Sequence, residues 1–142
     1  MVRSLVASFV VLAAGVRAPA ALELAVVVGT DSPIEAVDLD ELRDLYLRRQ
    51  RLWPGGMSAV PVNLPADDPL RRSFSRRILG RAPNELVGYW NRRYFEGIRP
   101  PLVLQSGRAV CAYLATEPGA VGYVPTDAVD RESCRVVRVI GE

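Results

Sequence analysis

The 142-residue sequence contains no histidine, and all 18 of its basic residues are arginine, so lysine is absent too. Without histidine there is no imidazole base, no Ser-His-Asp triad and no histidine metal ligand. Without lysine there is no amine to serve as a base or to activate a nucleophile. The missing lysine is read mainly as coding bias. Only two cysteines occur, Cys111 and Cys134. They are too few for a thiolate zinc site, and their spacing is not C-x-x-C. There is no G-x-S-x-G, and Gly55-Gly56 and Gly119…Gly122 lack the spacing of a P-loop or dinucleotide fingerprint. No enzymatic activity and no cofactor or metal are expected.

Net charge is small as well. Against the 18 arginines stand 16 acidic residues, and two of the arginines, Arg3 and Arg17, precede residue 21. The rest of the chain is therefore neutral, with no long-range field to gather nucleic acid, and none is expected as a partner. Arg3 precedes an apolar run from Leu5 to Val16, and Ala18-Pro19-Ala20 has the small-x-small pattern of a signal-peptidase site. The run is about a dozen residues, short of the roughly 20 that span a bilayer as a helix. Residues 1–20 read as a signal peptide cleaved after Ala20; an uncleaved anchor or a buried strand is the alternative. Residues 21–142 then form one domain, expected in the periplasm or outside the cell.

Leu22 to Val28 (LELAVVV) is a continuous apolar run, the pattern of a strand covered on both faces. A helix starts at Asp38, with Glu41 three positions on and Val37 able to staple to Leu42; Leu39, Leu42, Leu45 and Tyr46 give its buried stripe. Ala59 to Leu64 reads as a second strand, placed at an edge or a strand end by Pro61. Asp68-Pro69 opens a helix to about Leu79, stopped by Gly80. A third helix over Asn84–Phe95 should bury Leu86, Trp90 and Tyr94, and a fourth, behind Ser106, should bury Val110, Tyr113 and Leu114. Glu117-Pro118-Gly119 reads as a helix stop with a left-handed glycine, leading into a strand over Ala120–Val124. Gly122 inside that strand marks a bulge or a close backbone approach. Cys134–Ile140 is the last strand. The order β-α-β-α-α-α-β-β predicts an α/β fold: a mixed sheet of about four or five strands with about four helices packed on it.

The arginines cluster at Arg48, Arg49 and Arg51, at Arg71, Arg72, Arg76 and Arg77, and at Arg92 and Arg93. Guanidinium forks suit phosphate or carboxylate, but solvated helix faces explain the same pattern, and spacing singles out no one arginine. The stretch Asn63-Leu64-Pro65-Ala66-Asp67-Asp68-Pro69 delivers a strand end into a helix N-terminus, a place that favours anions. There Asp68 is expected to cap the free N–H groups itself.

The sequence of segments "DSPIEAVDLDELRDLYL", "WPGG", "VPVNLP", "YWNRRYFEGIRPP" and "EPGAVGYVP" resembles the phosphate-binding proteins of bacterial ABC importers. More closely, it resembles their short, stand-alone periplasmic-binding-protein-like relatives. Trp53-Pro54-Gly55-Gly56, the Phe95–Pro101 segment and Gly119-Ala120-Val121-Gly122-Tyr123 match family motifs in order, over about residues 22–140. The resemblance implies a single lobe like one domain of a type II periplasmic binding protein, with EPGAVGYVP near the interdomain crossover. Two features depart from the pattern. Where full-length members carry Ser-Gly-Thr at a helix start, this chain has Asp68-Pro69-Leu70, and where a glycine follows the aromatic-Leu pair, Arg48 follows Tyr46-Leu47.

The implied function is that of an exported solute-binding-like protein taking a small anion such as phosphate, weakly because one lobe is half a cleft. The alternative is an accessory protein that reuses the lobe to bind a periplasmic or membrane protein, with no transport role. The candidate ligand residues are Thr30 and Asp31, in the turn after the first strand, and Asp68 and Arg71, at the start of the second helix. Cys111 and Cys134 either join as a disulfide that fastens the last strand or stay as two buried thiols.

Overall fold

The computed structural model describes residues 23–141 together with Gly15. The rest of the expected signal peptide, its cleavage residue Ala20, and Leu22 at the head of the first predicted strand lie outside the described residues.

Five strands are present among the described residues: β1 (Leu24–Gly29), β2 (Val60–Asn63), β3 (Leu102–Val103), β4 (Ala120–Pro125) and β5 (Cys134–Ile140). They form one mixed sheet in the order β3-β2-β4-β1-β5. β2 is parallel to both β3 and β4, whereas β1 is antiparallel to β4 and β5. Strand β1 lies inside the sheet with all six of its residues buried, which is what its unbroken apolar run requires. The helices are α1 (Leu39–Tyr46), α2 (Pro69–Phe74), α3 (Val87–Phe95) and α4 (Gly107–Leu114). Helix α2 runs on as a π-helical turn over Ser75–Leu79, and a 3₁₀ turn at Pro83–Leu86 leads into α3.

Local chemistry sets the helix starts. Asp38 accepts from Glu41 N–H at 2.7 Å, Asp68 from Leu70 N–H at 2.8 Å ahead of Pro69, and Ser106 from Ala109 N–H at 3.1 Å. Gly80 ends the second helical segment in the left-handed region at φ 76°. Gly119 does not: its backbone lies outside that region, and it is glycine because an added Cβ would collide with the Ser58 carbonyl. Gly122 is a close approach rather than a bulge, since a Cβ there would lie 2.6 Å from Val110 of α4.

Besides Gly119, three expectations need correction. Strand β2 is interior, so Pro61 is not at an edge. Val60 N–H donates to Gly119 O at 3.0 Å, so alternation turns Pro61's missing donor toward β3. That strand is only two residues long and pairs from Val62 onward, so no ladder bond is lost at Pro61. Next, Leu39 is 40% exposed, so the stripe of α1 narrows to Leu42, Leu45 and Tyr46. Finally, α3 does not bury Trp90 and Tyr94: Trp90 is half-buried and Tyr94 is 65% exposed. Helix α3 turns Tyr89 and Arg93 inward instead, where Tyr89 OH donates to Leu47 O at 2.6 Å and Arg93 Nη2 to Arg48 O at 2.7 Å. Two otherwise free carbonyls at the end of α1 set its rotation. Tyr113 of α4 is half-buried beside fully buried Val110 and Leu114.

On one side of the sheet Tyr46, Phe74 and Tyr123 form the aromatic centre of the core, with Phe74 and Tyr123 stacked at 4.0 Å between ring centroids. On the other side α4 packs on Gly122, and Cys111 of α4 is joined to Cys134 of β5 in a disulfide with Cα atoms 5.3 Å apart.

Candidate functional site

Topology decides which candidate residues can meet. Because β1 is antiparallel to β4 and β2 is parallel to it, the end of β1 lies level with the start of β2. Thr30 and Asp31, just beyond β1, are exposed at the amino ends of the parallel strands. Asp68 and Arg71 follow β2 at the carboxyl ends, a strand length away, or roughly 15 Å at about 3.3 Å per residue. The four residues do not converge on one site.

The carboxyl end is filled by its own partners. Asp68 places a carboxylate on the Leu70 N–H of α2, where an incoming anion would have to compete with it. Arg71 Nη1 donates to Leu64 O at 2.7 Å, so its guanidinium closes the turn between β2 and α2. Behind it, Tyr123 OH donates to Asn63 Oδ1 at 2.8 Å, and Tyr46 OH donates to Val62 O at 2.7 Å and Val121 O at 3.2 Å. Burial first, and then each other's proximity in the case of Tyr46, pushes both phenols up from their ordinary range. These hydroxyls are neutral donors that tie β2 to β4. The departure from Ser-Gly-Thr at Asp68-Pro69-Leu70 thus has a structural counterpart in a helix start capped by the chain itself.

The amino end is different. Arg48, Arg51 and Arg99 line an open cleft of about 370 Å³ between the loop after α1, the start of β2 and the connection from α3 to β3. Among the described residues no carboxylate lines it and none of the three arginines forms an ion pair; the pairs present are Arg43–Asp40, Arg49–Asp44 and Arg93–Glu96. Arg48 is the one non-glycine residue among those described with a left-handed backbone, φ 60°. It stands where the family pattern has glycine, and it bears a strain of roughly 1–2 kcal/mol. Arg93 holds its carbonyl and is itself paired with Glu96 at 2.8 Å. The Arg48 guanidinium donates to Ala59 O at 3.2 Å, which pins it on the cleft wall with donors to spare. Desolvation, followed by Arg51 and Arg93 nearby, pulls the Arg48 pKa down from its ordinary value. A second cleft of about 370 Å³, near Trp53 and Met57, is lined by Glu35 and Glu41 and would repel an anion.

Sequence reasoning grouped Arg48 with Arg51 but did not bring Arg99 to them. The lining segments are far apart in the chain and meet through the β2–β3 pairing and the bonds from α3 to the Leu47 and Arg48 carbonyls.

No protein-family model matches the sequence, and no curated protein sequence matches it significantly. Solved structures do match in fold. An ABC-type phosphate transport receptor from Vibrio cholerae superposes with TM-score 0.63 and 19% identity, covering 82% of this chain and 47% of the receptor. A phosphate ABC transporter substrate-binding protein from Clostridium perfringens, solved with bound phosphate, gives TM-score 0.63, 19% identity and coverage of 82% and 45%. PstS from Borrelia burgdorferi gives 0.60, 11% identity, and 84% and 47%. The chain spans about half the length of these proteins, and the first two are named as a transport receptor and a substrate-binding protein. The described residues have the fold of one lobe of a periplasmic binding protein of the type seen in phosphate-transport substrate-binding proteins.

Proposed function

We propose that this chain is an exported solute-binding-like protein that takes a small oxyanion such as phosphate, with residues 1–20 acting as a signal peptide cleaved after Ala20. The observation that carries the reading is the fold shared with phosphate-transport substrate-binding proteins over 82% of the chain. The planar fork of arginine binds oxyanions bidentately, and Arg48, Arg51 and Arg99 line one cleft. One lobe offers one wall of a cleft, so affinity by this chain alone is expected near the millimolar range, about −4 kcal/mol. Titration calorimetry with phosphate, sulfate and small carboxylates tests the reading; no heat at millimolar ligand argues against it. Amino-terminal sequencing of the exported protein tests the cleavage.

A second reading, an accessory protein that binds a periplasmic or membrane partner, is favoured by a separate observation. Phe95 is 90% exposed and Tyr94 65%, and both residues of β3 are exposed at the sheet edge. Aromatic side chains left in water and an exposed edge strand are each the raw material of a protein interface. Capture of a partner that is lost on Phe95→Ser, with oxyanion binding unchanged, would separate this reading from the first.

A further inference from the structure

The geometry points to the cleft of Arg48, Arg51 and Arg99, at the amino ends of the parallel strands, as the seat of an oxyanion carried on a small apolar body, such as a phosphate ester. The inference deepens the oxyanion-binding reading and rests on it, but places the ligand at the end of the sheet opposite Asp68 and Arg71.

Three observations lead there. First, charge is concentrated without compensation. Three guanidinium groups line one cleft with no carboxylate among them, although the chain outside residues 1–20 has as many acids as arginines and uses them to pair Arg43, Arg49 and Arg93. Like charges gathered in this way repel, and a multivalent anion relieves the repulsion. Second, the cleft is built at a conformational cost. Arg48 holds a left-handed backbone that glycine would adopt freely, and Arg93 and Tyr89 brace that turn by binding the Arg48 and Leu47 carbonyls. The result is one guanidinium fixed on the wall, while Arg51 and Arg99 remain exposed and able to close on a ligand. Third, the remaining wall is poor in backbone donors. Pro61, Pro100 and Pro101 line it without N–H groups, so the arginines supply the charge contacts, while exposed Pro100 and Leu102 offer apolar surface. A cleft of about 370 Å³ has room for a phosphate group and a ring-sized substituent.

The test is titration calorimetry on the purified chain at low ionic strength, with phenyl phosphate and inorganic phosphate as separate probes. Phenyl phosphate is expected to bind several-fold tighter than inorganic phosphate. The double variant Arg51→Gln/Arg99→Gln, at two exposed positions, is expected to weaken it at least tenfold while thermal unfolding stays unchanged. Inorganic phosphate binding as tightly as the ester would remove the apolar body from the inference. A double variant that keeps wild-type affinity within twofold would overturn the location and leave the oxyanion reading standing. Loss of binding in Arg71→Gln instead would move the ligand to the start of α2. No heat from either probe at millimolar concentration with the wild-type chain would end both.

Discussion

The two ends of the parallel strands use the same residue type in opposite ways. At the carboxyl end, Arg71 is tethered to the Leu64 carbonyl inside the turn, and the Asp68 carboxylate caps the Leu70 N–H of α2. At the amino end, Arg51 and Arg99 have no ion-pair partner among the described residues, and Arg48 is braced in a left-handed turn beside them. The carboxyl end carries a carboxylate on its helix start, whereas the amino-end cleft is lined by arginines with no carboxylate among the described residues.

The largest effect should come from the carboxyl end, because it is continuous with the core. Phe74 is fully buried between Tyr46 and Tyr123. Phe74→Ala is expected to cost about 3–5 kcal/mol in urea denaturation. A cost below about 1 kcal/mol would mean that the aromatic stack does not anchor that end.

Next comes the disulfide, which ties α4 to the far side of the sheet. Cys111 and Cys134 are 23 residues apart, and Cys111→Ala/Cys134→Ala should lose roughly 3 kcal/mol in the chain-entropy account. Thiol labelling of the denatured, unreduced protein should find no reactive thiol; two would remove the bridge.

A smaller effect sharpens the contrast at Arg48. Arg48→Gly and Arg48→Ala both delete the guanidinium, yet only glycine relaxes at φ 60°. The glycine variant should be more stable than the alanine variant by about 1 kcal/mol. Equal stabilities would show that the turn carries no strain. The smallest effect is alkaline. Tyr46 and Tyr123 have folded-state pKa values raised above the unfolded value of about 10. Their stabilisation is fully present below pH 10 and declines as pH rises beyond it, because the unfolded phenols ionise first. Tyr46→Phe should flatten that decline in a pH series of unfolding curves.

Much of this contrast was legible in the sequence on one side only. Asp38 and Asp68-Pro69 announce their helices because capping is a local interaction between neighbours. The buried run of β1 and the Gly119–Tyr123 return are local patterns too. Strand β3 was missed because two exposed residues carry no periodicity. The face of α3 was misjudged because Leu86, Trp90 and Tyr94 form a valid helical stripe. What turns the helix is a pair of distant carbonyls at Leu47 and Arg48, met by Tyr89 and Arg93. The arginine cleft was out of reach for the same reason: Arg48 and Arg99 are brought together by the β2–β3 pairing and by the α3 bonds to the Leu47 and Arg48 carbonyls, and no spacing rule connects them. The missing glycine after Tyr46-Leu47 was a visible anomaly, but its meaning, an arginine held in glycine's conformation, needs the backbone.

The most direct measurement is an amide ¹H–¹⁵N NMR titration of the chain with phenyl phosphate. The account predicts that the shifts concentrate on Arg48 to Arg51, on Ile98 and Arg99, and on Leu102, while Ala66 to Arg72 stay still. Shifts confined to Ala66–Arg72, or to Thr30 and Asp31, would contradict it.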